Sequence, residues 1–186
     1  MDQDFPIRNQ VELRHYFELH DALTLLRNSK ALRADFPEWQ SKFAVEDKLG
    51  VILAIDLDAF KKIGDHYGMV QADQVLVEIA KRLLTEVPTP SRVYRIGGDE
   101  FACLVANLVS ESEIISLLMR LQAISESLIY IGDGTWDREV EQYWSIGATY
   151  WSDQEGELEH LMGLAFRGLS ATKSAGGAGH SIVLPD

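Results

Sequence analysis

Residues Arg92 to Val105 read RVYRIGGDEFACLV: an apolar run, two glycines, two acids, then a second apolar run. A short stretch of this kind can bury both halves only as strand–turn–strand, with Gly97 and Gly98 making the turn. Glycines there allow positive φ and leave no side chain between backbone and ligand. The hairpin tip would then carry two carboxylates, Asp99 and Glu100. Taken alone, this is an ordinary glycine turn with solvated acids.

A second stretch changes that reading. Val51 to Ile55 (VILAI) is a continuous apolar run, which suits a central strand buried on both faces. It leads directly into Asp56-Leu57-Asp58. Strand alternation puts Asp56 and Asp58 on the same side. Carboxylates leaving a core strand are costly unless paired or bound to a cation. The simpler alternative is that one of them caps the next helix. A strand end with one carboxylate and a neighbouring hairpin tip with two more can converge. Three carboxylates around one or two Mg²⁺ ions can hold a nucleoside triphosphate for phosphoryl transfer.

The remaining pattern predicts helices over Val11 to Leu19, over Asp21 to Leu32 with Asp21 as N-cap, and over Gln71 to Val87, where Pro88 and Pro90 end it. Further helices are expected over Glu111 to Leu128 and over Glu157 to Lys173, the latter loosened by Gly163 and Gly168. Trp144 to Trp151 and the terminal HSIVL read as strands. The order is helix, strand, helix, hairpin, helix, strand, helix, strand. It predicts an α/β fold with a mixed central sheet flanked by helices.

At 186 residues the chain has about one domain's length, and 46 % hydrophobic residues suffice for a core. No apolar run is long enough to span a bilayer and no signal-peptide start is visible, so a cytoplasmic protein is expected. The net charge of −12 disfavours nucleic acid and anionic lipid as partners. A metal–nucleotide enzyme stays open if local cations reverse the field at the site. Cys103 reads as strand packing. The five histidines lack zinc spacing, and the four tryptophans read as core rather than a base-stacking platform.

Arg95-Ile96-Gly97-Gly98-Asp99-Glu100-Phe101 resembles the signature of the GGDEF domain family, the diguanylate cyclases. Asp21-Ala22-Leu23-Thr24-Leu25-Leu26-Arg27-Asn28 resembles the family's opening D-x-L-T-G-L-x-N. Asp56-Leu57-Asp58-Ala59-Phe60-Lys61 resembles its D-x-D-x-F-K, followed by Asp65, Gly68 and Asp73 at family positions. Ser145-Ile146-Gly147 resembles its S-x-G strand, and Lys173 with Gly176 its closing K-x-x-G. The matches run in register from Asp21 to about Gly176.

The resemblance implies a palm-like βαββαβ core similar to nucleotidyl cyclases, over residues 21–186, behind a helical segment at 1–20. That leading segment is too short for a sensor domain, yet long enough for a helix that sets a dimer. The implied reaction condenses two GTP into cyclic di-GMP with release of pyrophosphate. Asp56, Asp99, Glu100 and the Leu57 carbonyl would hold two Mg²⁺ or Mn²⁺ ions. Asp99 would assist removal of the 3′-hydroxyl proton, with Glu100 and Lys61 in the catalytic set. Phe60, Lys61, Gly64, Asp73, Gly97, Gly98 and Lys173 would form the nucleotide site, with backbone N–H groups from Ala59 to Lys61 offered to phosphates. One nucleotide per domain implies a homodimer. Any regulatory partner protein is unspecified.

Five departures qualify the implication. Leu25 stands where the family has Gly. Gly64 stands where it has a guanine-reading Asn, and glycine has no side-chain donor or acceptor. Asp73 could still accept from N1–H and N2–H₂ of guanine. Losing one partner of the base costs roughly 1–3 kcal/mol, so ATP or an adenine-containing product becomes an alternative. Met69 replaces a common His. Pro88 and Ser91 stand where the family's product-feedback motif R-x-x-D would be, so no product-inhibition site is expected. Gly177 replaces an Arg after K-x-x-G, with His180 the one neighbouring candidate to substitute. These changes keep a second reading in view, a degenerate domain that binds nucleotide or protein and regulates by association.

Overall fold

The structure is a computed structural model that describes residues 10–43, 49–88, 92–132, 134–135, 137–151 and 156–185. In chain order the elements are α1 (Gln10–Leu19), β1 (Arg27–Asn28), α2 (Ser29–Phe43), β2 (Leu49–Leu57), α3 (Lys61–Tyr67), α4 (Met69–Glu86), β3 (Arg92–Arg95) and β4 (Glu100–Leu108). They continue with α5 (Glu111–Ser125), β5 (Ile129–Gly132), β6 (Asp137–Val140), β7 (Trp144–Trp151), α6 (Leu158–Ser174) and β8 (His180–Ile182). The first nine residues of the expected leading helical segment, and Pro90 and Ser91, lie outside the described residues.

Six strands form one sheet in the order β1-β3-β4-β2-β7-β8. β2 pairs antiparallel with β4 on one side and β7 on the other. The edge pairs β1–β3 and β7–β8 are parallel. The central place of β2 follows from its sequence. Alternate residues Val51, Leu53, Ile55 and Leu57 join the core built with Val75, Leu76 and Ile79 of α4 and Leu117 and Leu121 of α5. Ile52 and Ala54 join the opposite core with Phe36 and Trp39 of α2 and Leu161 and Leu164 of α6. Both faces of the strand are buried, which is why it reads as an unbroken apolar run.

Glycines set how closely α6 lies on the sheet. A Cβ on Gly147 would run into the backbone of Ala165 and Leu169, and one on Gly168 would stand 2.8 Å from the Ser181 carbonyl oxygen. Gly168 is thus a packing residue rather than a loosening of the helix. Gly163 faces open space.

The expected helix start is corrected, and other local features differ from what the sequence suggested. Asp21 does not cap a helix. Its Oδ1 accepts from the Thr24 backbone N–H (2.8 Å) and hydroxyl (2.7 Å), closing a turn. Leu25 then takes φ +59°. The helix starts only at Ser29, capped by Asn28 Oδ1, which accepts from the N–H groups of Lys30 (3.0 Å) and Ala31 (3.1 Å). Neither Gly97 nor Gly98 has positive φ. A Cβ on Gly97 would press on the Glu100 side chain, which would have to shift. The hairpin β5–β6 forms a separate two-stranded sheet that no sequence pattern announced.

Cys103 is fully buried, and burial pushes its thiol up to about 12. Trp39, Trp144 and Trp151 are core residues. Among the described residues, no helix is long and apolar enough to cross a membrane.

Candidate active site

Sheet register builds the site. Asp56, near the end of β2, stands directly opposite Glu100, the first residue of β4, and opposite Ser145 of β7. Directly opposed antiparallel residues share a face, with Cβ atoms about 5 Å apart. The turn between β3 and β4 is closed by the N–H groups of Ile96 (2.9 Å) and Gly97 (3.2 Å), both donating to the Glu100 carbonyl. The Leu57 N–H donates to the Asp99 carbonyl at 3.2 Å. The tip of the hairpin is therefore fastened to the end of the central strand.

The electrostatics record the convergence. Burial raises the Asp56 carboxyl above its ordinary value. The Lys173 ammonium opposes that shift, and the charges of Asp99 and Asp58 add to it. Burial likewise raises Glu100, with Asp56 and Asp99 adding and Lys173 opposing. Asp56, Asp99 and Glu100 thus feel one another as a cluster of like charge. The Lys173 Nζ donates directly to Asp56 Oδ1 from the last turn of α6. The sequence reading assigned Lys173 to the nucleotide; the structure seats it on the strand-end acid.

The donor set suits a hard divalent cation. Three carboxylates and the Leu57 carbonyl are all oxygen ligands, the type Mg²⁺ and Mn²⁺ prefer. Leu57 buries its side chain in the core, so it can offer only its backbone. Among the described residues, no three acidic, histidine or cysteine side chains already stand at ligating geometry. Side-chain rotation is required to close such a site.

Asp58 takes a different role from Asp56. Its Oδ1 accepts from the Ser145 hydroxyl (2.8 Å) and its Oδ2 from the Ala178 N–H (2.8 Å). Its own carbonyl accepts from Gln142 Nε2 at 2.9 Å. Asp58 is a latch on the loop after α6. Neither it nor Asp56 caps α3, whose N-cap position is Phe60 with no side-chain cap. Gly177 lies in that loop at φ +77°, and a Cβ there would meet the Asp58 carboxylate at 3.1–3.2 Å. An arginine at 177 would be strained, so this loop is built around glycine.

The nucleotide candidates spread over a wider surface. Lys61 is exposed at the start of α3, and Phe60 packs against the core. Ala59, just before them, is held at φ +53°. Asp73 of α4 borders a cleft of about 450 Å³ together with Leu23, Val70, Gln74 and Tyr130. Gly64 is partly exposed on α3, and a Cβ there would be 3.6 Å from the Met69 sulfur. Met69 itself is 73 % exposed.

The sequence reading missed one element of the site. Arg95 Nη1 donates to Asp21 Oδ1 at 2.9 Å, while its Nη2 (2.6 Å) and Nε (3.2 Å) donate to the Gly98 carbonyl. The spacing of Asp21 and Thr24 is a turn signature and could have been read. The partnership with Arg95 spans 74 residues and could not.

Comparison with known proteins agrees with this architecture. The family described as "Diguanylate cyclase, GGDEF domain" matches residues 18–178. Diguanylate cyclase DgcN of Escherichia coli (strain K12) is 39 % identical over 106 residues, which cover 57 % of this chain and 26 % of that protein. Diguanylate cyclase TpbB of Pseudomonas aeruginosa is 37 % identical over 124 residues, 62 % of this chain and 27 % of that protein. The chain therefore spans about a quarter of the length of these curated relatives. The solved GGDEF domain of TpbB from Pseudomonas aeruginosa superposes with a TM-score of 0.78 at 26 % identity, over 90 % of this chain and 94 % of that one. By motif, register and fold, the chain belongs to the diguanylate cyclase GGDEF domain family.

Proposed function

We propose that this domain condenses two GTP into cyclic di-GMP and releases pyrophosphate, as one half of a two-fold homodimer in the cytoplasm. The observation that carries the reading is the register that sets Asp56 opposite Glu100, with Asp99 at the adjoining tip and Lys173 beside them. Asp56, Asp99, Glu100 and the Leu57 carbonyl would hold two Mg²⁺ or Mn²⁺ ions. Such ions, when bound, activate the 3′-hydroxyl and stabilise charge at the α-phosphate. Asp99 accepts the proton of that hydroxyl. Lys61 and Lys173 place positive charge against the triphosphate in an otherwise acidic molecule. Glycine at 97 and 98 lets the hairpin backbone approach the phosphates closely.

Asp73 selects the base. A carboxylate accepts from N1–H and N2–H₂, which guanine presents on one edge; adenine has no N1–H. Gly64 contributes no side-chain hydrogen bond, so base affinity falls by roughly 1–3 kcal/mol relative to a site with both partners.

The test is to incubate the protein with Mg²⁺ or Mn²⁺ and GTP, ATP or both, and to identify products by mass spectrometry. Cyclic di-GMP is expected from GTP, and its loss in Asp99→Ala with circular dichroism unchanged. Undiminished turnover by Asp99→Ala would reject the site. An adenine-containing product would reject the base assignment.

A further inference from the structure

Lys173 is placed unusually for a phosphate ligand. Its ammonium donates to Asp56 Oδ1, and among the described residues it has no other partner. The Asp56 side chain is only 16 % exposed, while that of Lys173 is 40 % exposed. Lys173 therefore reaches in from solvent over a flexible stem to meet a half-enclosed carboxylate. That carboxylate faces Glu100 across the strands and feels the charges of Asp99 and Asp58. The chain as a whole carries a net charge of −12. In such surroundings, one cation on Asp56 relieves the repulsion among the acids. The last turn of a helix is also a favourable place for a positive group.

We propose that Lys173 is a built-in counter-ion that competes with the divalent cation for Asp56. The ammonium neutralises the acid in the nucleotide-free domain and must leave for a divalent ion to bind. Its departure frees the same positive charge to meet an arriving triphosphate. Lys173 thereby sets the metal affinity of the resting domain and couples metal entry to nucleotide entry. The inference rests on the metal reading of Asp56 given above.

The test uses the whole chain without nucleotide. Mn²⁺ binding is followed by the electron paramagnetic resonance signal of the free ion in wild type, Lys173→Met, Lys173→Arg and Asp56→Asn. Lys173→Met keeps the length of the side chain but removes the competitor. It should bind Mn²⁺ more tightly, by up to about fivefold, the upper end for a partly exposed ion pair. Its melting temperature in EDTA should fall below that of wild type, and saturating Mn²⁺ should close the gap. Lys173→Arg should stay near wild type. Mn²⁺ binding by Lys173→Met that equals or is weaker than wild type, while wild type binds in an Asp56-dependent way, overturns the competition and leaves the metal reading standing. No Mn²⁺ binding by either protein at millimolar ion overturns both. A second measurement needs no variant. Mg²⁺ titration into wild type, followed by the ¹⁵Nζ resonance of Lys173, should show loss of its ion-pair shift. A resonance unmoved at metal saturation rejects the proposal.

Discussion

Arg95 and Asp21 form an ion pair at 2.9 Å that joins the turn after α1 to the Gly-Gly bend. The rest of the guanidinium donates to the Gly98 carbonyl, so one side chain holds both segments. Arginine suits this because its donors diverge in a rigid planar fork, which a lysine ammonium lacks. Asp99 and Glu100 follow directly on the bend that the pair holds.

Arg95→Ala should therefore cost about 1.5–3 kcal/mol in chemical denaturation, since the side chain is only 11 % exposed. It should also lower cyclisation by roughly a hundredfold, the scale of a displacement near 1 Å at reacting groups. Lys at 95 should recover stability better than turnover. Wild-type turnover in Arg95→Ala would show that the bend holds its own geometry.

The glycines of α6 and β7 give opposite expectations. Gly163→Ala adds a methyl group into open space on a helix and should stabilise by about 0.5–1 kcal/mol. Gly147→Ala drives a methyl group into the α6 backbone at Ala165 and Leu169, which cannot rotate away. Its cost should be about 3 kcal/mol or more, comparable to severe overpacking. Thermal unfolding of the two variants checks the pair. Equal melting temperatures would mean that α6 does not sit this close.

Leu25 is a β-unbranched L-residue at φ +59°, with 43 % of its surface exposed. The left-handed region costs such a residue about 1–2 kcal/mol, whereas glycine pays only its larger unfolded-state entropy. Leu25→Gly should raise stability, by up to about 1 kcal/mol, as read from urea denaturation. A clear loss would indicate that apolar contacts of Leu25 outweigh the strain.

Asp35 supports the sheet edge from α2. It accepts from Arg27 (2.7 Å, bidentate), Arg92 (2.7 Å) and the Tyr94 hydroxyl (2.8 Å). Burial would raise its carboxyl, but hydrogen bonds from Arg92, Tyr94 and Arg27 outweigh it and hold the value below the ordinary one. A lowered folded value means that this stability is complete above the unfolded value near about 4 and is lost as pH falls through the folded value. Asp35→Asn should cost about 3 kcal/mol at pH 7, as for a buried pair broken on one side. The gap from wild type should stay constant down to about pH 4 and shrink only below it. A gap already closing at pH 6 would assign the effect to another group.

How much of this could be read in the chain varies with the range of the interaction. The β2 run, the α4 periodicity and the eight residues of β7 were legible because burial on a fixed face imposes a period on the sequence. The hairpin β5–β6 was not, since its second strand, DREV, exposes three of four residues and has no apolar period. The start of α2 was misplaced because Asp21 looks like a cap, and only the αL turn at Leu25 shows that the chain must first cross beside β3. The positive φ that Gly97 and Gly98 allow is not used; the constraint at Gly97 is the nearness of the Glu100 side chain, and a Cβ on Gly98 would meet nothing.

Local patterning by itself marked β2, the β3–β4 hairpin, β7 and the helices α4 to α6, and short motifs carried the resemblance to the family. It could do so because apolar periods and short motifs are properties of neighbouring residues. Only the folded chain decided that Asp56 takes Lys173, that Asp58 latches the loop at Ala178, and that Arg95 reaches Asp21. Each of those contacts joins residues 74 or more positions apart. Their partners are chosen by sheet register and helix seating, which no local pattern encodes.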